Sequence, residues 1–112
     1  MVISSDLLRG YTDAIILRCL TKGDGYGYQI SKEVFALSGE RLELKEATLY
    51  TAFRRMESAG YIRSYWGNEA IGARRRYYSL TEEGRKKLEE EVSAWRETRE
   101  VLNRLLEEEK EV

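Results

Sequence analysis

Residues 48–62, TLYTAFRRMESAGYI, decide how the chain is read: Leu49, Ala52, Phe53 and Met56 recur at i, i+3, i+4 and i+7, and the run stops at Gly60. That spacing puts the four apolar side chains on one face of a helix over about residues 46–59. At about 100° per residue, Ala47, Tyr50, Thr51, Arg54 and Arg55 fall on the opposite arc, with Thr48 at its edge. One side of the helix is therefore a core side, and the question is what the two adjacent arginines face.

C-terminal to this helix, YIRSYW (61–66) and RRRYYSL (74–80) are rich in aromatic and β-favouring residues. They read as two strands of a hairpin joined by the glycine-flanked GNEAIGA (67–73). On the return strand Arg74 and Arg76 share a face with Tyr78 and Leu80, and Arg75 shares the other with Tyr77 and Ser79. Basic residues on an edge strand discourage sheet-to-sheet pairing. That explains one arginine well and three poorly, so contact with a polyanion near the hairpin tip is favoured. Thr81 then caps a last helix whose first turn carries Glu82 and Glu83, where negative charge meets the dipole favourably. This helix, expected over residues 82–109, is roughly 40 Å long, more than a domain of this size needs. Leu88, Val92, Trp95, Leu102 and Leu106 repeat along it at 4-3 spacing, with Arg99 interrupting and Val101 and Leu105 widening the stripe. Such a stripe needs a partner. The acidic end EEEKE (107–111) reads as a solvated tail.

N-terminal to the central helix, Ser4 or Ser5 is the expected cap of a first helix running to about Thr21, with Leu8, Ile15, Ile16, Cys19 and Leu20 on one face. KGDGYGY (22–28) breaks it, with a cap at Gly23 and a tight turn at Asp24-Gly25. Ile30, Val34 and Leu37 mark a second short helix ending near Gly39, and RLEL (41–44) alternates as a brief strand would.

The chain has 112 residues and a formal charge of −1, which fits one domain and gives no global pull toward a polyanion. The charge is unevenly spread. Residues 1–80 hold 12 Lys+Arg against 9 Asp+Glu, residues 81–112 hold 7 against 11, and 45–80 alone hold 7 against 3. With no histidine and a single cysteine, Cys19, the common metal-ligand sets and an internal disulfide are missing, so no cofactor and no metal are expected. A reduced, cytoplasmic setting is the economical expectation. The opening MVISSDLLRGYTDAIILRC is interrupted by charge and reads as neither signal peptide nor membrane span. An enzyme is the poorest fit: without histidine, catalysis would rest on carboxylates, lysine, tyrosine or the one cysteine, no pair of these is embedded in a glycine turn or apolar run that would shift its pKa, and no phosphate loop or dinucleotide fingerprint occurs.

Three helices, a two-stranded hairpin and a trailing helix follow the order of a winged helix-turn-helix: mainly α with a small β-hairpin, plus a long C-terminal helix. Residues 1–80 form the expected DNA-binding domain and 81–112 the expected dimerisation helix. The candidate DNA contacts are Lys45, Thr48, Tyr50, Thr51, Arg54 and Arg55 on the third helix, and Arg74, Arg75 and Arg76 on the hairpin. Their hydroxyls and guanidiniums donate to phosphate oxygens, and arginine also pairs with both guanine acceptors. The plain alternative is a solvated face. Duplex DNA is preferred because the arc has no carboxylate beside its arginines and the hairpin repeats the positive sign. A winged module serving protein assembly without DNA is the other functional reading.

DAIILRCL, GYGYQI, TLYTAFRRMESAGYI and ARRRYYSLTEEGRKKL together resemble, in order and spacing, the PadR-type transcriptional regulators over nearly the whole chain. The resemblance implies a homodimeric repressor of a roughly palindromic operator, dimerised by the C-terminal helix, in the branch of the family with a single trailing helix. Thr48, Leu49 and Tyr50 match its recognition-helix motif, Gly60 its terminating glycine, and Arg75, Arg76, Tyr77 and Tyr78 its wing exit. Thr51 stands where many members have proline, and Phe53 and Met56 stand where leucines are usual. Leu88, Val92, Trp95, Leu102, Leu105 and Leu106 are the expected dimer seam. Trp95 either fills that seam or stacks a small aromatic effector, as in some short members. Arg99 either meets such a ligand's carboxylate or pairs with Glu91, Glu97 or Glu100, and the pairing is preferred.

Overall fold

Leu49, Ala52, Phe53 and Met56 are each at most 2% exposed, and the remainder of the fold is arranged around them. In this computed structural model, residues 2–4, 6–68 and 72–107 are described. The helices are α1 (Thr12–Leu20), α2 (Gly27–Leu37), α3 (Glu46–Ser58) and α4 (Glu82–Leu106). Strands β1 (Gly25–Tyr26), β2 (Ile62–Trp66) and β3 (Arg76–Leu80) form one antiparallel sheet in the order β1-β3-β2. The fold is mostly helical with a small sheet, as the sequence pattern predicts.

The core joins Ile16, Leu17 and Leu20 of α1, Ile30 and Val34 of α2, and the four α3 residues to Ile62 and Tyr78 of the sheet. Phe53 links these layers. Its ring stacks on Tyr78 with centroids 4.0 Å apart and meets Tyr50 edge-on at 5.7 Å. Gly60 ends α3 at φ +86°, a left-handed conformation that glycine adopts without steric cost. The chain then turns directly into β2, so helix and hairpin are fixed in relation to each other. Thr81 caps α4 as expected, its hydroxyl accepting from the Gly84 amide at 3.0 Å and donating to the Gly60 carbonyl at 2.7 Å. Gly84 itself lies so close to the Tyr61 carbonyl and Leu80 that a Cβ there would collide with backbone.

Five details depart from the sequence expectation, the first being that α4, expected to run to about residue 109, ends at Leu106 with Glu107 extended. The first α-helix starts at Thr12, after a 3-10 turn over Arg9–Tyr11. Ser4 caps a turn and not that helix, its hydroxyl accepting from the Asp6 amide and its carbonyl from the Leu7 amide. Ser5 lies outside the described residues. The RLEL segment makes no strand: Ser38 Oγ accepts from the Arg41 and Leu42 amides in place of a neighbouring strand, while Leu42 and Leu44, two residues apart, both plug the core. A strand does occur at Gly25–Tyr26, paired with Tyr78 and Tyr77, where the sequence suggested only a turn. Leu37, expected on the buried face of α2, is 66% exposed.

Candidate nucleic-acid interface

α3 buries one stripe and turns Ala47, Thr51, Arg54 and Arg55 outward, all exposed. Thr48 is half-buried, and Tyr50 is 39% exposed with its ring held against Phe53. The Tyr50 hydroxyl sits against Gly27 at the start of α2 so closely that a Cβ at Gly27 would lie 3.0 Å from it. Tyr50 is therefore a packing residue as well as a surface one. Lys45 occupies the N-cap position of α3, next to the helix's free amides, a place that favours an anion.

The arginines differ in their company. Among the described residues Arg54 makes no ion pair. Arg55 does: its guanidinium meets Asp13 of α1, a carboxylate 42 positions away that no local pattern reveals. The sequence argument that the arc is free of carboxylates therefore holds along α3 and fails in space. Arg55 remains 56% exposed, and a pair that open is worth only about 0–1 kcal/mol. A phosphate can displace such a carboxylate at little cost.

The hairpin is fastened to the last turn of α3. Arg76 donates to Ser64 Oγ at 2.8 Å, Ser64 donates to Glu57 at 2.6 Å, and Arg76 lies 3.8 Å from the Glu57 carboxylate. Arg74 and Arg76 both lie over the Trp66 ring, 5.6 Å from its centroid, while Arg75 lies over Tyr26 at 4.8 Å. The alternation of faces along the return strand is as the sequence predicts. Trp66, 53% exposed, is less a core residue than a plate against which two guanidiniums rest. Residues 69–71 of the hairpin tip lie outside the described residues. On the other face Tyr65 stacks on Tyr77 and donates to Asp24 at 2.5 Å, a bond that raises the Tyr65 pKa above its usual range.

α4 begins in the core and ends outside it. Leu88, expected in a dimer seam, is 4% exposed and belongs to the chain's own core because the first turns of α4 pack on α1. Val92 is half-buried against the same cluster. Trp95, Leu102, Leu105 and Leu106 are 41–76% exposed. Leu8, Tyr11, Ile15, Leu37, Val92 and Trp95 border an apolar groove of about 440 Å³ between α1, α2 and α4. Arg99 takes none of the carboxylates proposed for it; its guanidinium lies 4.6 Å over the Trp95 ring, while Lys87 holds Glu91 and Arg104 holds Glu100. Cys19 is buried, and burial first, then the neighbouring Glu33 carboxylate, push its thiol up to about 11, so it is protonated and inert at neutral pH. No group of His, Cys, Asp and Glu able to hold a metal occurs among the described residues, and no described helix is long and apolar enough to cross a membrane.

A buried-stripe helix with an open basic arc, fastened to an arginine-bearing hairpin of a three-stranded sheet, is a winged helix-turn-helix of the DNA-binding kind. The model of the transcriptional regulator PadR-like family matches residues 16–90. The chain belongs to that family, whose members are transcriptional regulators and not enzymes. A solved transcriptional regulator from Clostridium thermocellum is 47% identical, with 95% of this chain and all of that one covered and a TM-score of 0.87. A PadR family transcription regulator from Clostridium difficile is also 47% identical, over 86% of this chain and 98% of its own, with a TM-score of 0.74. An uncharacterized protein of Lysinibacillus sphaericus is 39% identical over 106 residues, 95% of this chain and 97% of its own.

Proposed function

We propose that the protein is a homodimeric repressor that reads a palindromic operator through α3 and the hairpin and is released by a small aromatic effector. The observation that carries the reading is that Lys45 and Arg54 stand open on α3 while Arg76 is secured beside its last turn, with Arg74 and Arg75 preceding it on the same hairpin. In this reading Arg54 reads bases or phosphates, and Lys45 and the α3 amides take a phosphate. Thr48, Tyr50 and Thr51 add hydroxyl contacts, and Arg55 exchanges Asp13 for the backbone. The hairpin arginines follow the backbone beyond the groove. Two copies place their α3 helices about 34 Å apart, one turn of DNA.

The pairing of copies rests on α4. Its exposed Trp95, Leu102, Leu105 and Leu106 are complemented by the apolar groove beside Trp95, so a second copy's helix covers both at once. Residues 1–80 then form the reading part and 81–112 the pairing part, with Leu88 excluded from the seam. The effector lies between the two α4 helices, seated on Trp95 beside Arg99, and weakens DNA binding because ligand and operator prefer different spacings of those helices.

Leu102→Glu combined with Leu105→Glu tests the pairing. Sedimentation equilibrium should give a dimer for the unaltered chain and a monomer for the variant, with helical content unchanged. Affinity for a palindromic operator should fall by about 100-fold or more, since one half-site no longer assists the other. A variant that stays dimeric, or an unaltered chain that is monomeric at working concentration, contradicts the reading.

A further inference from the structure

Arg18 of α1 and Arg85 and Arg96 of α4 converge on a second groove, of about 310 Å³, floored by Leu88 and Val92. It lies away from the recognition helix. Asp13 of α1 meets Arg55 of α3, and Arg18, five residues on, sits about 140° around the helix from it. On α4, Arg85, Glu89, Val92 and Arg96 stand at i, i+4, i+7 and i+11, a single stripe along the groove.

The charges there are unbalanced. Elsewhere on α4 Lys86 is matched with Glu83, Lys87 with Glu91 and Arg104 with Glu100 at helical spacing, and Arg99 lies over the Trp95 ring. Arg18, Arg85 and Arg96 form no ion pair among the described residues, although Glu89 lines the same groove one turn from Arg85. Three guanidiniums against one carboxylate leave a local charge of +2. The Thr21 hydroxyl at the groove edge already donates to the Arg18 carbonyl at 2.6 Å, so the donors left for a ligand are the guanidiniums.

We propose that this groove binds a small phosphate monoester. Its two negative charges match the local +2, its oxygens suit the planar fork of arginine, and the apolar floor accepts the organic part. The volume is that of a small-molecule site and not of a protein interface. The proposed operator surface does not include these arginines, because no residue of α3 or the hairpin lines their groove. The groove shares Arg18, Leu88 and Val92 with the apolar groove at Trp95 and is told from it by Arg85 and Arg96, which line this groove and not that one.

The test uses phenyl phosphate as probe, titrated into the full-length protein against sodium chloride at matched ionic strength, with the arginine Nε–H and backbone amide NMR signals followed. Saturable shifts centred on Arg18, Arg85 and Arg96 are expected. Binding should be tighter at about pH 7.5, where the ester is doubly charged, than at about pH 5, where it is singly charged. Arg18→Gln and Arg96→Gln should each weaken binding by about tenfold, and Lys86→Gln, which lines neither groove, should not. Shifts that chloride reproduces, that do not saturate, that Lys86→Gln weakens equally, or that centre on Trp95 and Arg99 would overturn the proposal. It also fails if Arg18→Gln leaves phenyl phosphate binding intact and instead lowers the sedimentation mass, because the arginines would then hold a second chain.

Discussion

Replacing Lys45 and Arg54 together by alanine should lower operator affinity by about 100-fold or more, while thermal stability and helical content stay at the unaltered values. Each side chain is exposed, neither makes an ion pair among the described residues, and neither contributes to the core, so their removal has no folding consequence to speak of. A lost phosphate or base contact costs about 1–3 kcal/mol. The two positions lie at the start and near the end of α3, far enough apart for the losses to add. Arg55→Ala should cost less than Arg54→Ala alone, because the gain from DNA is offset by release of Asp13. Fluorescence anisotropy with a labelled operator separates the two variants, and its salt dependence should flatten by about 0.9 in log-log slope for each phosphate contact removed. Equal losses for both would mean that Asp13 leaves Arg55 as available as Arg54.

Phe53→Ala should destabilise the fold by about 3–5 kcal/mol, read from urea denaturation. Phe53 is 1% exposed and is the ring through which α3 meets both Tyr78 of β3 and its own Tyr50. Its loss leaves a cavity between helix and sheet that neither backbone can close. For a domain whose whole stability is about 5–15 kcal/mol, that is a large share. Phe53→Leu, which keeps most of the volume, should cost less than half as much. DNA binding should fall in step with the folded fraction for Phe53→Ala, in contrast to the surface variants, for which it falls alone. A destabilisation under about 1 kcal/mol would mean that the ring stack contributes little to joining helix and sheet.

How much of this was legible in the sequence depended on the distance over which each feature is determined. α3 was readable because its stripe, its open arc and its terminating Gly60 all lie within one short run, and the cap at Thr81 was readable for the same reason. Ser4 was misleading because a serine caps a turn as readily as a helix, and the 3-10 turn that follows it has no distinct pattern. β1 is two residues long in a glycine-rich stretch, and only its pairing with Tyr77 and Tyr78 makes it a strand. Asp13 beside Arg55, Glu57 and Ser64 beside Arg76, and the Arg18–Arg85–Arg96 groove are tertiary meetings with no periodicity to announce them. Leu88 obeys the heptad spacing of α4 perfectly well. Only the packing of α1 shows that its partner is the chain itself.

The central claim is that one exposed basic surface, α3 with its attached hairpin, recognises duplex DNA and is displayed twice. Selection of bound fragments from a random duplex pool, run at low and at moderate salt, tests it most directly. The account predicts an enriched inverted repeat with half-sites about one helical turn apart, retained at both salt levels while non-specific recovery collapses at the higher one. Enrichment of nothing, or of a single unrepeated site recovered equally by the Lys45 and Arg54 double variant, would contradict it.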